Sequence, residues 1–498
     1  MNKIRSILLF VMLGFFALFS TPAEEAKLSV IERLNARNFP SLFAAWAGCH
    51  YIPPDANWTE RRHDLVWGHR IPEGRFEKID GKIVLTGDVE AARERWSEHR
   101  RYNPNMIFLM DIPFSVAPLE GSKNTLFGEI FPDDWPFMII HETGEEVLGF
   151  TGDHVNPQSR LIDFTHIEAQ KVIVGMAKAV DDSEFFDGIF IDWWDETGLT
   201  LDGYRTLEEE FEARIHILQS IRDIVSDDFL IVVNGNHETA KHAAPYINGV
   251  LRETFRHAMP DDFEHLSMMW FEEGFRWVES ECRVPQIPCF EAEGIGVQSP
   301  MSPENLQDMR CLTALYLTHS DGFFTYTMGV NLRDRQNHVH DSHWVGGPDH
   351  DDLHARSIVH EHHHEHYCYD FWYADLGRPI GEKFQLYEDR EGLFIREFTN
   401  GWAVYNRSGE EQIVKLPVKS SGVESRITAI EHTIPDLDGE IYLKSTGEVA
   451  DLNSDGVVNI LDLVLVANAF GEATPDLNGD GVVNILDLVI VANNFTDN

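Results

Sequence analysis

One twelve-residue pattern is written twice near the end of the chain, and few folds can carry it. Side-chain oxygens stand at positions 1, 3, 5, 9 and 12 of each copy: Asp451, Asn453, Asp455, Asn459 and Asp462, then Asp476, Asn478, Asp480, Asn484 and Asp487, 25 residues further on. Position 6 is glycine (Gly456, Gly481), where the backbone must turn sharply. Position 7 is Val457 or Val482, which can offer only its carbonyl oxygen. A short loop built this way wraps a hard cation such as calcium, which takes six to eight oxygens. Each copy runs into an apolar segment of helical length, Leu461 to Phe470 and Leu486 to Phe495. Acidic turns without a metal would leave the paired glycines and the shared register unexplained.

Two tandem loops of this kind, each with Asp at position 12, resemble a dockerin module over residues 448–498. The resemblance implies two bound calcium ions, an α-helical, EF-hand-like fold, and a cohesin-like scaffold protein as partner. It also implies that the rest of the chain is the cargo of a secreted protein. The amino terminus agrees. Lys3 and Arg5 precede a run of thirteen mostly large apolar residues, Ile7 to Phe19, and Ala23 ends a stretch of small residues before Glu24. That is the pattern of a removable signal peptide over 1–23, too short to span a bilayer comfortably. No later stretch reaches transmembrane length, so no membrane span is expected in the mature chain. A net charge of −43 argues against nucleic acid or an anionic membrane as partner.

Between about residues 40 and 380, short apolar runs alternate with long amphipathic segments. The candidate strands are Ser41–Ala47, Met106–Ile112, Phe137–Ile140, Leu161–Phe164, Gly188–Asp192, Leu230–Asn234, Val250–Glu253, Gln286–Glu291 and Gly322–Tyr326. Their cores are rich in Ile, Val, Phe and Leu without clean alternation, as in parallel strands covered on the outside. Helices fit between them at Ile167–Val180, at Leu207–Val225, and after Ser302, where Pro303 takes the first helical position. This predicts an α/β fold, a (β/α)8 TIM barrel over 24–380, with one of the first four strands surplus. The alternative is a doubly wound open sheet, but no Gly-rich phosphate loop follows any strand. Beyond Pro379 the runs shorten and alternate, as at Trp402–Asn406 and Gln412–Pro417, predicting a small antiparallel β domain over 381–447.

In such a barrel the chemistry belongs at the carboxyl ends of the strands. Ile189, Phe190 and Ile191 deliver Asp192 there, followed by Trp193, Trp194, Asp195 and Glu196. A second run ends in Asn234. A third delivers Glu253, and a fourth ends at Glu291 and Glu293. Asp192 and Glu253 come from strands two apart, able to flank a sugar, and glycoside cleavage needs two such carboxyls. The segments around Asp192, Asn234 and Glu253 resemble the endo-α-1,4-polygalactosaminidase family and related glycosidase barrels over residues 160–260, and more weakly to about 380. That resemblance implies Asp192 as the nucleophile-like carboxylate and Glu253 as the acid/base. Trp193, Trp194, Asp195, Asn234 and Glu293 are the candidate substrate contacts. The paired tryptophans depart from that family.

Each residue also has a structural reading. Asp192 could cap a helix or pair with Arg205, and Glu253 could pair with Arg252 or Arg256. Between His338 and His366 stand ten histidines. His362 and His366 have helical metal-ligand spacing, but the string is too redundant to define one site, and no HExxH motif occurs. The alternatives to a calcium-tethered glycosidase are therefore a metal-dependent hydrolase or deacetylase, and a non-catalytic carbohydrate-binding barrel. The five cysteines, Cys49, Cys282, Cys289, Cys311 and Cys368, form no disulfide framework. One bridge, Cys282 to Cys289, is conceivable.

Overall fold

The computed structural model describes residues 28–445 apart from 46–61, 69–73, 119–129, 132–134, 142, 146, 148–158, 195, 197–199, 236–238, 255–264, 296–297, 328–366 and 368. It also describes 450–495 apart from 454–456 and 479–480. The expected signal peptide, Asp195, Asp455, Asp480, Gly456, Arg256, Cys49, Cys368 and the histidine run lie outside these residues.

Eight parallel strands form one sheet in the order β1 (Phe43–Ala45), β2 (Leu65–Trp67), β5 (Ile107–Ile112), β8 (Gly188–Ile191), β9 (Leu230–Asn234), β10 (Gly249–Thr254), β11 (Cys289–Glu293) and β12 (Phe323–Thr327). A parallel bridge between Leu42 and Phe324 joins the first edge to the last, and Phe324 N–H donates to Ser41 O at 3.1 Å. The sheet is thus a closed (β/α)8-type barrel. Successive side chains alternate between its two faces. Phe43, Leu65, Trp67, Ile107, Leu109, Phe190, Val232, Leu251, Cys289 and Phe323 fill the interior, with the Trp67 ring stacked between Phe43 at 4.9 Å and Phe190 at 4.5 Å. The opposite row, including Met110, Ile189, Ile191, Ile231 and Val233, packs under the helices. Both faces are buried, which is why the strands read as unbroken apolar runs.

The helices follow their local signals. Thr206 and Glu209 form a capping box at the start of α4 (Leu207–Arg222), and Ser302 with Pro303 opens α6 (Pro303–His319). Helix α3 (Ile167–Asp182) buries Ile173, Met176, Ala177 and Val180, one stripe at helical spacing. The short helix α1 (Val30–Asn35) closes the amino-terminal end of the barrel with Val30 and Leu34. There Arg33 and Arg100 both reach the buried Asp187, at 2.5 and 2.9 Å. Helix α2 (Val89–Tyr102) carries Arg100 and follows a hairpin, β3 (Arg75–Ile79) and β4 (Lys82–Thr86).

Two expectations about the strands need correction. Phe137–Ile140 and Leu161–Phe164 are not barrel strands. They belong to an excursion after β5, where β6 (Val116–Pro118) pairs antiparallel with β7 (Ser159–Leu161) and Met138 bridges Ile162. The missing barrel strand is β2. Its three residues are too few to show a period.

Past the barrel, β13 (Leu393–Phe398), β14 (Gly401–Asn406), β15 (Gln412–Gly422), β16 (Thr428–Ile434) and β17 (Asp438–Lys444) form an antiparallel sheet in the order β13-β14-β17-β15-β16. Ala403, Tyr405 and Ile441 share a core with Ala314 and Leu315 of α6. Arg310 grips Asp438 through two bonds of 3.0 and 2.7 Å, and Arg407 binds the buried Glu272 of α5 (His265–Glu281), one bond at 2.8 Å. Cys282, Cys289 and Cys311 are free thiols, so the conceivable Cys282–Cys289 bridge is not formed. Cys289 faces the barrel interior, whereas Cys282 packs outside it, in the layer under the helices. The tail ends in α7 (Ile460–Asn468) and α8 (Ile485–Asn493).

Candidate active site and calcium loops

Toward the carboxyl end of the barrel, the inward rows change from apolar to polar. Alternation carries the row of Ile107 and Leu109 to Asp111, Phe190 to Asp192, Val232 to Asn234, Leu251 to Glu253, Cys289 to Glu291 and Glu293, and Phe323 to Thr325 and Thr327. In register, Glu253 stands opposite Glu291, Glu291 opposite Thr325, and Glu293 opposite Thr327. Asn234, Glu253, Glu291 and Glu293 are nearly inaccessible, at 3, 5, 4 and 5 % exposed, while Asp192 is partly open.

One side chain links the two carboxyls singled out by the sequence. Asn234 Nδ2 donates to Asp192 Oδ1 at 2.8 Å and to Glu253 Oε1 at 3.0 Å. The two amide hydrogens diverge by about 120°, so ideal bonds to both would hold the accepting oxygens about 5 Å apart. Asp192 Oδ1 also accepts the Trp193 N–H at 2.9 Å. The competing partners are engaged elsewhere. Arg205 pairs with Asp163. Arg252 points outward, its guanidinium 4.0 Å from the Trp270 ring and in space left by Gly274, where a Cβ would fall 1.3 Å from Arg252 Nη1.

The neighbouring tryptophans divide. Trp193 is 40 % exposed at the mouth and holds a left-handed backbone, φ 57°, which a bulky residue adopts only under strain. Trp194 is fully buried on Phe114, ring centroids 5.0 Å apart, with Nε1 donating to Glu196 at 3.4 Å. It forms the floor of the loop, and the expectation of a sugar contact there is corrected: no surface is left to meet a ligand. Glu196 is structural too, accepting the backbone N–H groups of His242 and Ala243 at 2.9 and 3.0 Å. Sequence reasoning passed over Asp111, Thr325 and Thr327. The signal for Asp111 was present, a lone carboxylate inside an apolar strand on the inward parity.

In the tail, Asp462 and Asp487 are fully buried. Asp462 accepts the N–H groups of Leu452, Asn453 and Asn459 at 2.8, 3.2 and 2.8 Å. Asp487 accepts those of Leu477, Asn478 and Asn484 at 2.7, 3.1 and 2.7 Å. Each loop thus curls around its position-12 carboxylate with the same bonds, and Gly481 makes the expected tight turn at φ 91°. Among the described residues no three His, Cys, Asp or Glu side chains converge on a metal. Among the described residues the acidic side chains are Asp451 with Asp462 in one loop and Asp476 with Asp487 in the other. The other donors are Asn453, Asn459, Asn478 and Asn484, and the Val457 and Val482 carbonyls. This all-oxygen set with a buried carboxylate fits calcium. Ile460, Leu461, Ile485 and Leu486, at positions 10 and 11, are 61, 56, 62 and 55 % exposed.

Residues 449–496 match the Dockerin type I domain family. Domains of that family bind calcium, typically engage cohesins and occur in secreted cellulosome components. No curated protein matches the chain. Among solved structures, the fold is similar to an α-amylase from Malbranchea cinnamomea (12 % identity, TM-score 0.44, covering 84 % of this chain and 98 % of that one). It is also similar to a maltogenic α-amylase from Thermotoga neapolitana (12 %, 0.39, 81 % and 96 %). A third is the glycoside hydrolase domain of PelA from Pseudomonas aeruginosa (12 %, 0.35, 58 % and 94 %). The barrel is defined by its own strand order and closure, not by these likenesses. Among the described residues no helix is long and apolar enough to cross a membrane.

Proposed function

We propose that the chain is a secreted glycosidase that cleaves a poly- or oligosaccharide with Asp192 and Glu253 and docks to a scaffold through its calcium-dependent tail. The observation that supports this most is the Asn234 amide joining two carboxyls across the barrel mouth. A separation of about 5 Å suits the retaining course. A carboxylate oxygen of Asp192 bonds to the anomeric carbon as the glycosidic C–O bond breaks, and the Glu253 proton passes to the leaving oxygen. Water then attacks the same carbon, its proton returns to Glu253, and the Asp192 ester bond breaks. The two N–H bonds on Asp192 Oδ1 suit a carboxylate that must stay ionised to attack.

Among the described inward-facing residues at the carboxyl ends of the strands, Asp111, Asp192, Glu253, Glu291 and Glu293 are acidic and none is basic. Such a row of carboxyls favours a cationic glycan, one built of amino sugars. Trp193 would offer the ring surface for a sugar.

Asp192→Ala and Glu253→Ala in the full chain should each lower turnover by about 10⁴-fold or more on whichever member of a polysaccharide panel is cleaved, with unfolding temperature unchanged. On aryl glycosides with good leaving groups, the Glu253 variant should keep activity that the Asp192 variant lacks. Wild-type turnover in either variant would overturn the assignment.

A further inference from the structure

Asn234 was expected to touch the substrate, yet its bonds commit it elsewhere. A side-chain amide nitrogen has two hydrogens, and here one goes to Asp192 at 2.8 Å and the other to Glu253 at 3.0 Å. Neither hydrogen is left to donate to a sugar oxygen. The backbone at and just after Asn234 is tied to the same two segments. The Asn234 carbonyl accepts the Trp194 N–H at 2.8 Å, two residues past Asp192. The next N–H, of Gly235, donates at 3.1 Å to the carbonyl of Leu251, two residues before Glu253. The side chain is 3 % exposed.

We propose that Asn234 is a positioning residue: its one amide nitrogen, stapled to the loop of Asp192 and the strand of Glu253, sets the separation of both carboxyls and so the retaining course. This rests on the catalytic assignment of those two residues. The physical reason for an amide is that it does not titrate. Glu253 loses a proton in one half of the cycle and regains it in the other, and a neutral N–H donor can bond Oε1 in both states. A lysine or arginine there would hold the ionised form too strongly, and an aspartate would add a third anion.

The test uses Asn234→Ala, Asn234→Asp and Asn234→Gln in the full chain, with thermal unfolding to confirm folding. The first readout needs no substrate: carboxyl titrations of Asp192 and Glu253 followed by ¹³C NMR on Asp- and Glu-labelled protein. Removing the amide should move both titrations to higher pH, because both ionised groups lose a donor. Movement of one alone, or of neither, overturns the bridge. The second readout is kinetic, on the glycan that the unmodified chain cleaves. Asn234→Ala and Asn234→Asp should lower kcat about 10²-fold or more with KM within about threefold, since misplacement by an ångström has that effect. Asn234→Gln, which keeps the donor, should recover part of it and stands in if the alanine variant does not fold. A raised KM at unchanged kcat would make Asn234 a substrate contact and overturn the proposal. If Asp192→Ala and Glu253→Ala are inactive while Asn234→Ala turns over normally, the positioning role falls and the glycosidase assignment stands. If no glycan is cleaved, that assignment falls, and the titrations still decide the bridge.

Discussion

Trp193 combines an exposed ring with a strained backbone. Its left-handed backbone turns one indole toward the mouth while the next residue is driven into the core, so two adjacent tryptophans take opposite environments. That conformation costs an L-residue about 1–2 kcal/mol, which glycine would not incur. Trp193→Ala and Trp193→Gly should both raise KM about tenfold, as expected for loss of a ring-stacking surface, with kcat little changed. The glycine variant should melt higher than the alanine variant. Equal KM in variant and native chains would leave Trp193 without a binding role; equal melting of the two variants would show that the backbone is not strained.

At the scale of elements, the two calcium loops repeat one construction. Their acidic side chains at positions 1, 5 and 12 repel one another without a cation, so ordering of α7 and α8 should be coupled to metal. Calcium titration of the chelated full chain should show two ions bound and a gain in helical circular dichroism. Asp462→Ala plus Asp487→Ala, which also removes the carboxylate at the centre of each loop, should abolish both. An unchanged signal would discard the coupling. The same helices display Leu461 and Leu486 to solvent in matching places. Apolar side chains repeated at the same loop positions suit a cohesin-like surface with an apolar contact face. Leu461→Asp plus Leu486→Asp should therefore abolish capture by a cohesin panel while calcium binding persists. Retained capture would place recognition elsewhere on the tail.

The whole molecule is held by junctions that depend on pH. His319, on the barrel helix α6, is fully buried within 4.7, 4.5 and 5.8 Å of the Phe384, Phe394 and Tyr405 rings. Burial lowers its pKa from 6.5 to about 3, helped by nearby Arg407, Arg276 and Arg396 and opposed by its bond to Leu315 O. An unfolded chain takes up this proton near pH 6.5 and the folded one does not. The stability is therefore fully present above about 6.5 and is lost as pH falls from there toward about 3, by up to ~4–5 kcal/mol. At the barrel's amino-terminal end, burial of Asp187 is outweighed by Arg100 and Arg33, which hold its carboxyl below the ordinary value. Its contribution is present above the usual carboxylate range and disappears as pH falls through its lowered value. The native chain should thus melt much lower at pH 4 than at pH 7, and His319→Gln should narrow that difference. Parallel melting curves for the two chains would remove His319 from the account.

Features confined to a few consecutive residues were legible without the structure. The calcium loops place every donor within twelve positions, helix caps such as Thr206 and Ser302 act on the next turn, and the polar residue that closes an apolar run marks Asp192, Asn234 and Glu253 as strand-end residues. Nothing local announces β2, whose three residues become a strand only because β1 and β5 flank them. Phe137–Ile140 and Leu161–Phe164 look like barrel strands until Met138 is seen to bridge Ile162 and Leu161 to pair with Val116. The amide link spans 42 residues to Asp192 and 19 to Glu253. It exists because β8, β9 and β10 pair side by side, which brings three strand ends together. A linear pattern records where an apolar run ends, whereas which side chains meet depends on which strands pair, and only the tertiary structure decides that.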